Sequence, residues 1–248
     1  MQNHLFGLLA CLALVGHGAL AQAAQPRSSL AGQVIVVDAG HGGLDNGARV
    51  PGLDEKDLVL SISREIAHML RQAGAKVVES RQADDNLIPR GAKERNFQRK
   101  NLEARVELAT RSDAGIFLSI HANKYADPSV HGAQVFIGEE PDPERQLLGS
   151  CLHAEMSTLS GSRRQLDMIS DLYLMRHLKI PAALIEVGFI SNTAERSRLM
   201  QPAYQHAIAQ AVTRGVMCFV RGRSALQLST HSSRPNPAQA PGATASLA

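Results

Sequence analysis

Short apolar runs alternate with amphipathic stretches along most of the chain, and this pattern predicts strands that alternate with helices. Five apolar or β-branched runs have the length of buried strands: residues 34–37, 75–80, 116–120, 132–137 and 182–186. Between the first two runs, Leu58, Ile62 and Ile66 recur at helical spacing in a helix that begins at Glu55. The alternation predicts an α/β fold, a single twisted sheet with helices on both faces.

The remaining stretches are assigned by the same periodicity and by their content of glycine and proline. We predict further helices at residues 102–112, 144–159 and 202–220, a short strand at 172–175, and loops at 44–54 and 82–100.

The two ends of the chain depart from this pattern. Residues 1–23 hold an apolar core followed by small residues, which predicts a cleaved signal peptide, although no Lys or Arg precedes the core. The core is shorter than the roughly 20 residues of a membrane span, so we expect no stable membrane insertion and a periplasmic or secreted protein. Residues 24–32 are a short lead-in and residues 33–221 the folded domain. Residues 222–248 hold no aromatic and no acidic residue, which predicts a disordered tail.

Composition excludes some classes of function. The hydrophobic share of 44% is ordinary for a globular protein, and a net charge of +3 is too small to indicate nucleic acid binding. Removal of the signal peptide leaves two cysteines, Cys151 and Cys218. An exported protein could pair them, but their spacing fits no metal or redox motif and does not establish whether they meet. We interpret them as buried thiols.

Candidate chemistry follows several of the predicted strands. His41 lies in a glycine turn after the first strand, His121 follows the strand at 116–120, and Glu186 ends the last strand. The carboxyl ends of the strands meet at one rim of such a sheet, and Glu55 can return to the same rim. Two imidazoles and a carboxylate are a common ligand set for catalytic zinc, which lowers the pKa of a bound water to about 7. A second carboxylate could then move the proton.

Other catalytic motifs are absent from the sequence. The chain has no His-Glu-x-x-His, no Gly-x-Ser-x-Gly, no phosphate-binding loop and no Gly-x-Gly-x-x-Gly. His153-Ala-Glu155 matches the first half of the zinc deaminase signature, but the Pro-Cys-x-x-Cys half is missing. Histidines without metal-ligand spacing are interpreted as helix or loop residues: His68, His131, His153, His177 and His206.

Four segments together resemble a known family. They are Asp38-Ala-Gly-His-Gly-Gly43, Glu55-Lys56 at a helix start, Ser119-Ile-His-Ala-Asn123 and Glu186-Val-Gly-Phe-Ile-Ser-Asn192. In this order and at this spacing they closely resemble the zinc-dependent N-acetylmuramoyl-L-alanine amidases of bacterial cell walls. The branch resembled includes sporulation and cell-division amidases, and the resemblance covers about residues 33–221.

The resemblance implies a site and a reaction. Zinc would be held by His41, Glu55 and His121, and Glu186 would be the catalytic carboxylate. The reaction would hydrolyse the amide between the lactyl group of N-acetylmuramic acid and L-alanine of the stem peptide. Peptidoglycan is then the expected partner, and the need for a protein activator stays open. Some cell-division relatives carry a regulatory helix that blocks the metal, but the stretch between His121 and Glu186 is short, so we expect an open site.

Two other functions remain as alternatives. The protein could be another exported zinc peptidase that trims the stem peptide, or a non-catalytic wall-binding protein on the same scaffold. Minor features stay ambiguous as well. Asn123 and Asn192 could orient the site or form turns, and Arg105 is interpreted as a salt-bridging helix residue. The predicted loop also holds Arg90, Arg95 and Arg99. We interpret them as solvated surface residues in preference to binding sites for substrate carboxylates.

Overall fold

The structure is a computed structural model. It describes residues 30–88, 97–140 and 142–232, with side chains through residue 226. The predicted signal peptide, most of the lead-in, Arg90, Arg95 and the end of the predicted tail lie outside the described residues. Within these ranges, every helix is either too short or too polar to cross a lipid bilayer.

The helices and strands follow the predicted alternation. The strands are β1 (Val34–Ala39), β2 (Arg49–Val50), β3 (Leu53–Asp54), β4 (Lys76–Glu79), β5 (Ile116–Asn123), β6 (Gln134–Gly138), β7 (Asp167–Ile169) and β8 (Ala182–Phe189). The helices are α1 (Glu55–Gln72), α2 (Phe97–Arg111), α3 (Pro143–Ser160), α4 (Tyr173–His177), α5 (Thr193–Leu199) and α6 (Pro202–Ser232).

Six of the strands form one sheet in the order β4-β1-β5-β8-β6-β7. The first four strands are parallel, and β6 runs antiparallel to β8. Side chains alternate between the two faces of each strand. Ile35 and Val37 of β1 therefore pack on one face with α1, α3 and α6, whereas Val36 packs on the other with α2 and α4. The predicted α/β sheet with helices on both faces is confirmed.

The register of the central strands brings the candidate residues together. β5 continues to Asn123 and β8 to Phe189, so both residues lie within strands, whereas the sequence placed His121 after its strand and Glu186 at the end of its own. The two residues are direct partners across the β5–β8 pair. β1 lies on the other side of β5, so its carboxyl end delivers His41 to the same rim.

Four local features differ from the predictions. Residues 172–175 belong mostly to helix α4, because Leu174 and Met175 fill the second core cluster and a run this short does not distinguish helix from strand. Helix α2 begins at Phe97, inside the predicted 82–100 loop. The predicted 44–54 loop contains the short antiparallel pair β2–β3, and β7 was not predicted at all.

The last helix is longer than its composition suggests. α6 continues to Ser232, so the predicted disordered tail is wrong for residues 222–232. The extension packs on another helix: a Cβ at Gly222 would lie 2.9 Å from a methyl carbon of Leu147 on α3, so the backbone of α6 packs directly against this side chain. Arg223 also lies 3.7 Å from Glu144.

A disulfide bond links the same two helices. Cys151 of α3 and Cys218 of α6 are bonded, with an S–S distance of 2.10 Å. The interpretation of these residues as buried thiols was therefore wrong. Their sequence separation of 67 explains why spacing alone could not reveal the pairing.

Candidate metal centre

A strained turn presents the first histidine. Residues 39–43, which we call the histidine turn, leave the end of β1, and His41 adopts a left-handed φ of 59°. Non-glycine residues rarely adopt this conformation, although histidine is among those that tolerate it. Gly40 makes room for the second histidine, because a Cβ there would lie 2.4 Å from Cε1 of His121. The turn thus brings the two imidazoles together.

The carboxylate between the histidines is held by backbone groups. Glu55 opens α1 and is 3% exposed. Its Oε2 accepts a hydrogen bond of 2.8 Å from the N–H of Ala48, and its Oε1 accepts one of 3.0 Å from the N–H of Ala122. A long, flexible side chain is fixed in this way before any ligand binds.

Three potential metal donors converge on one point. Nε2 of His41 and Nδ1 of His121 each lie 3.1 Å from Oε1 of Glu55. One ligand atom from each residue lies within 4.8 Å of the others, and the two rings meet edge to face. Within the described ranges, no other group of three His, Cys, Asp or Glu side chains has such an arrangement.

A further carboxylate orients the first histidine. Oδ2 of Asp45 lies 2.9 Å from Nδ1 of His41, and its Oδ1 accepts a hydrogen bond of 3.0 Å from the N–H of Gly47. This contact directs Nε2 of His41 toward Glu55, as the outer partners of metal-ligating histidines commonly do. Sequence reasoning missed Asp45, and its position in the same loop, four residues after His41, was the available signal.

The electrostatics of the metal-free cluster favour cations. Burial disfavours the charged form of His41, but its hydrogen bonds with Asp45 and Glu55 outweigh burial and raise its pKa to about 9. Burial likewise opposes the charge of Glu55, but hydrogen bonds from His121 and His41 hold its pKa well below the ordinary range. The site stabilises a positive charge next to Glu55, whether that charge is a proton or a metal ion.

Glu186 lies beside the three donors without joining them. The residue is partly exposed, but its Oε2 is buried and has no hydrogen-bond partner among the described residues. Burial raises the pKa of Glu186 to about 7; the charge of Glu55 adds to this effect, and the nearby histidines oppose it. A carboxylate that can exchange protons near neutral pH at the edge of such a cluster is suited to acid–base chemistry.

The remaining candidates have structural contacts. Arg105 is 3% exposed and pairs with buried Asp38 at 2.7 Å, so it is a core residue beneath the histidine turn rather than a helix-surface residue. Arg99 is exposed and pairs with Glu103. Asn192 accepts a hydrogen bond from the N–H of Glu195 and caps α5.

The described histidines outside the candidate centre lie on helices or loops. His206 contacts Glu65 at 2.6 Å, and His177 stacks on Tyr173.

The stretch between His121 and Glu186 folds into β6, α3, β7 and α4. The expectation that no helix blocks the site stays a prediction.

The donor set matches zinc. Nitrogen and carboxylate oxygen ligands from three residues are typical of mononuclear catalytic zinc centres, in which water takes the fourth position. The unpartnered Oε2 of Glu186 next to the donors adds the acid–base group that such a centre uses. The fold and the site together therefore define an α/β protein with a candidate zinc-hydrolase centre.

Comparisons with known proteins give the family. The model of the N-acetylmuramoyl-L-alanine amidase family matches residues 35–218. A germination-specific N-acetylmuramoyl-L-alanine amidase of Bacillus subtilis is 35% identical over 193 residues, which cover 77% of this chain and 81% of the relative. The chain belongs to the N-acetylmuramoyl-L-alanine amidase family. It is thus a peptidoglycan hydrolase, and the bond that it cleaves is the one between N-acetylmuramic acid and L-alanine.

Solved structures agree with this assignment. The CwlD amidase from Clostridioides difficile, solved in complex with the GerS lipoprotein, has a TM-score of 0.73 and 31% identity, covering 77% of this chain and 99% of that one. The catalytic domain of CwlV, an amidase from Bacillus (Paenibacillus) polymyxa, has a TM-score of 0.66 and 26% identity, covering 76% and 98%. The resemblance stated from the four sequence segments is confirmed, and zinc dependence is general in this family.

Proposed function

We propose that this protein is a zinc-dependent cell-wall amidase in which His41, Glu55 and His121 hold the metal and Glu186 is the catalytic carboxylate. The observation that carries the proposal is the convergence of two imidazole nitrogens on one oxygen of Glu55, at 3.1 Å each. The unpartnered Oε2 of Glu186 beside them supports the second half of the proposal.

The reaction breaks the amide between the lactyl carbonyl of N-acetylmuramic acid and the nitrogen of L-alanine. When bound, zinc supplies a Lewis acid that polarises the carbonyl and lowers the pKa of water. Glu186 accepts a proton from the attacking water and later delivers it to the departing amine. A new C–O bond replaces the C–N bond, and the products are a lactyl carboxylate and a stem peptide with a free L-alanine amino group.

The other residues of the site keep the donors in place. The N–H groups of Ala48 and Ala122 fix both oxygens of Glu55, so the carboxylate keeps its orientation as substrate enters. Asp45 holds His41 with Nε2 facing Glu55. Fixed groups of this kind need no reorganisation during the reaction.

The proposed setting is the bacterial envelope. Residues 1–23 support export, and peptidoglycan lies outside the cytoplasmic membrane. The CwlD amidase was solved in complex with the GerS lipoprotein. We therefore also propose that a protein partner activates this chain.

Mass spectrometry of digested peptidoglycan tests the proposal. Purified mature protein should release stem peptides with new L-alanine amino termini, and a chelator should abolish this release until zinc is restored. His121→Ala should be inactive, whereas His68→Ala, which alters an exposed helix histidine, should keep full activity. Shortened peptides still attached to sugar would favour the peptidase alternative. Stoichiometric zinc without any product, even with cell extract added, would favour the wall-binding alternative.

A further inference from the structure

Two buried arginines converge on the backbone of the histidine turn. Arg81 follows β4 and is 5% exposed, and Arg105 lies on α2 and is 3% exposed. Neither guanidinium is hydrogen-bonded to the side chain of a candidate metal ligand. Both instead donate to carbonyl oxygens of the turn, and so they act on its conformation.

Arg81 ties the turn to the helix that carries Glu55. Its Nε donates to the carbonyl of Ala39 at 3.1 Å, and its Nη2 donates to the carbonyl of Gly40 at 2.9 Å. The same Nη2 donates to the carbonyl of Lys56 at 2.7 Å, in the first turn of α1. One side chain thus fixes the distance between the backbone segments that present two of the proposed ligands.

Arg105 ties the turn to the sheet. Its Nε donates to Oδ1 of Asp38 at 2.7 Å, and its Nη2 donates to the carbonyl of His41 at 2.7 Å. Asp38 is fully buried and also accepts a hydrogen bond of 2.8 Å from Ser119 of the neighbouring strand. Arg105 is therefore anchored at one end, and its other end holds the carbonyl of the first histidine.

The turn needs such restraint. A non-glycine residue in the left-handed region persists only where its surroundings hold it there, and His41 has a φ of 59°. Buried carbonyls also require donors, and those of Ala39, Gly40 and His41 each accept a hydrogen bond from an arginine side chain. The two arginines supply these donors.

The charge of the arginines acts against a metal ion. Two guanidinium groups near a cation site weaken cation binding through Coulomb repulsion. If charge were their only effect, their neutral replacement would strengthen zinc binding. A positioning role has the opposite sign, because a relaxed turn would move Nε2 of His41 away from Glu55 and His121.

We propose that Arg81 and Arg105 are positioning residues that set the zinc affinity of the centre by holding His41 in its left-handed conformation. This inference rests on the proposed function, since it requires that His41 binds zinc. In this role the arginines make no contact with the substrate.

The test compares zinc affinity with stability in three lysine variants of the full mature protein. Arg81→Lys and Arg105→Lys keep the charge, so Asp38 stays paired, but one ammonium cannot reach all the acceptors. Arg145→Lys is the matched control: Arg145 is also 3% exposed and donates to the carbonyls of Met175 and Leu178, away from the centre. Chelator competition measures zinc affinity, and denaturant unfolding of the zinc-free proteins measures stability.

We expect both turn variants to bind zinc about 10–100-fold more weakly than the wild type, and Arg145→Lys to bind normally. Amidase activity should recover at high zinc concentration, so that the zinc dependence shifts while the plateau is retained. The neutral variant Arg81→Met extends the test and should also bind more weakly. Either arginine alone can decide the test if the other variant does not fold.

Three results would overturn the inference. One is unchanged zinc affinity in the folded turn variants, which would leave the arginines at most a role in stability. Another is tighter zinc binding by Arg81→Met, which would mean that charge dominates. The third is a wild-type protein that binds no zinc, which would first overturn the proposed function, so the two failures are distinguishable.

Discussion

The rim that carries the histidines and the interface between α3 and α6 are built from opposite kinds of contact. The rim is held by buried charged groups, among them Asp38, Glu55, Arg81 and Arg105. The centre of the helix interface is apolar and closed by a disulfide, with ion pairs such as Arg223–Glu144 between partly exposed side chains, and Gly215 lets α6 approach α3 so closely that a Cβ there would lie 3.0 Å from Cα of Leu152. The two regions belong to the same sheet fold, but the first orients side chains and the second stabilises the fold.

The difference separates orientation from stability. Buried ion pairs lose much of their attraction to the cost of desolvation, so they stabilise a fold weakly, but their hydrogen bonds have defined directions. Apolar burial stabilises strongly and without direction. The rim therefore orients the proposed ligands at a cost in stability, and apolar burial such as that between α3 and α6 offsets that cost. Acid should disturb the first region, and a reductant the second.

The largest expected effect is on catalysis, from Glu186→Gln. This change keeps the shape of the side chain but removes the proton acceptor, so the rate of amide hydrolysis should fall about 10²–10⁴-fold. Zinc affinity and the unfolding midpoint should stay near wild-type values, because Oε2 makes no hydrogen bond to the described residues. Timed release of L-alanine amino termini measures the rate.

Glu195 is the matched control for that prediction. Glu195 is 1% exposed, and its carboxylate, unlike Oε2 of Glu186, accepts hydrogen bonds from the N–H groups of Gly132 and Phe189. Glu195→Gln should lower the free energy of unfolding while leaving turnover by the folded protein intact. A full rate in Glu186→Gln would remove Glu186 from the mechanism.

The next effect breaks the charged region with acid. Burial disfavours the charged form of Asp38. The positive charge of Arg105 and hydrogen bonds from serines outweigh burial, so the pKa of Asp38 lies below the usual 3.8. A lowered pKa contributes stability that is present above the unfolded value and is lost as pH falls through the folded value. Asp38→Asn should therefore cost about 3–5 kcal/mol at neutral pH, and the difference from wild type should shrink toward low pH. A constant difference across pH would contradict this assignment.

The third effect breaks the apolar region with a reductant. The disulfide closes a loop between residues separated by 67 positions, and removing such a cross-link costs about 2–4 kcal/mol. The double variant Cys151→Ser with Cys218→Ser should unfold at lower denaturant concentration and match the reduced wild type. Its activity, measured well below the unfolding transition, should equal that of the wild type. Lost activity in a folded variant would show that the two regions are coupled.

The smallest effect is a proton count. His41 has a pKa of about 9 in the metal-free protein, so it is mostly protonated at about pH 8, whereas a zinc ligand must be neutral. Zinc binding at about pH 8 should release about one proton, and the number should fall as pH rises above the pKa of His41. Calorimetry in buffers of different ionisation enthalpy gives this number. Asp45→Asn should lower it, since the hydrogen bond with Asp45 helps to raise that pKa.

Sequence reasoning located the residues that repeat a simple pattern. His41, His121 and Glu186 each follow or end an apolar run, and the rule that strand ends share a rim was enough to group them with Glu55. The α/β sheet followed from the same alternation. Local pattern was sufficient because each of these features depends on the position of a strand.

What sequence reasoning missed depends on contacts distant in the chain. Arg81 and Arg105 act through carbonyl groups of the histidine turn, and no motif marks a residue that serves another segment's backbone. The Cys151–Cys218 bond and the extension of α6 beyond 221 likewise arise from the packing of α3 on α6. Residues 173–175 lie in helix α4, where Leu174 and Met175 pack into the second core cluster, a contact that the local sequence does not reveal.

The proposed centre is tested most directly by locating zinc in crystals through anomalous diffraction at the zinc edge. We expect one strong peak, in contact with Nε2 of His41, a carboxylate oxygen of Glu55 and Nδ1 of His121, with Glu186 nearby but not bound to the ion. A peak bound by other residues, or a zinc-saturated active enzyme without a peak at these three donors, would contradict it.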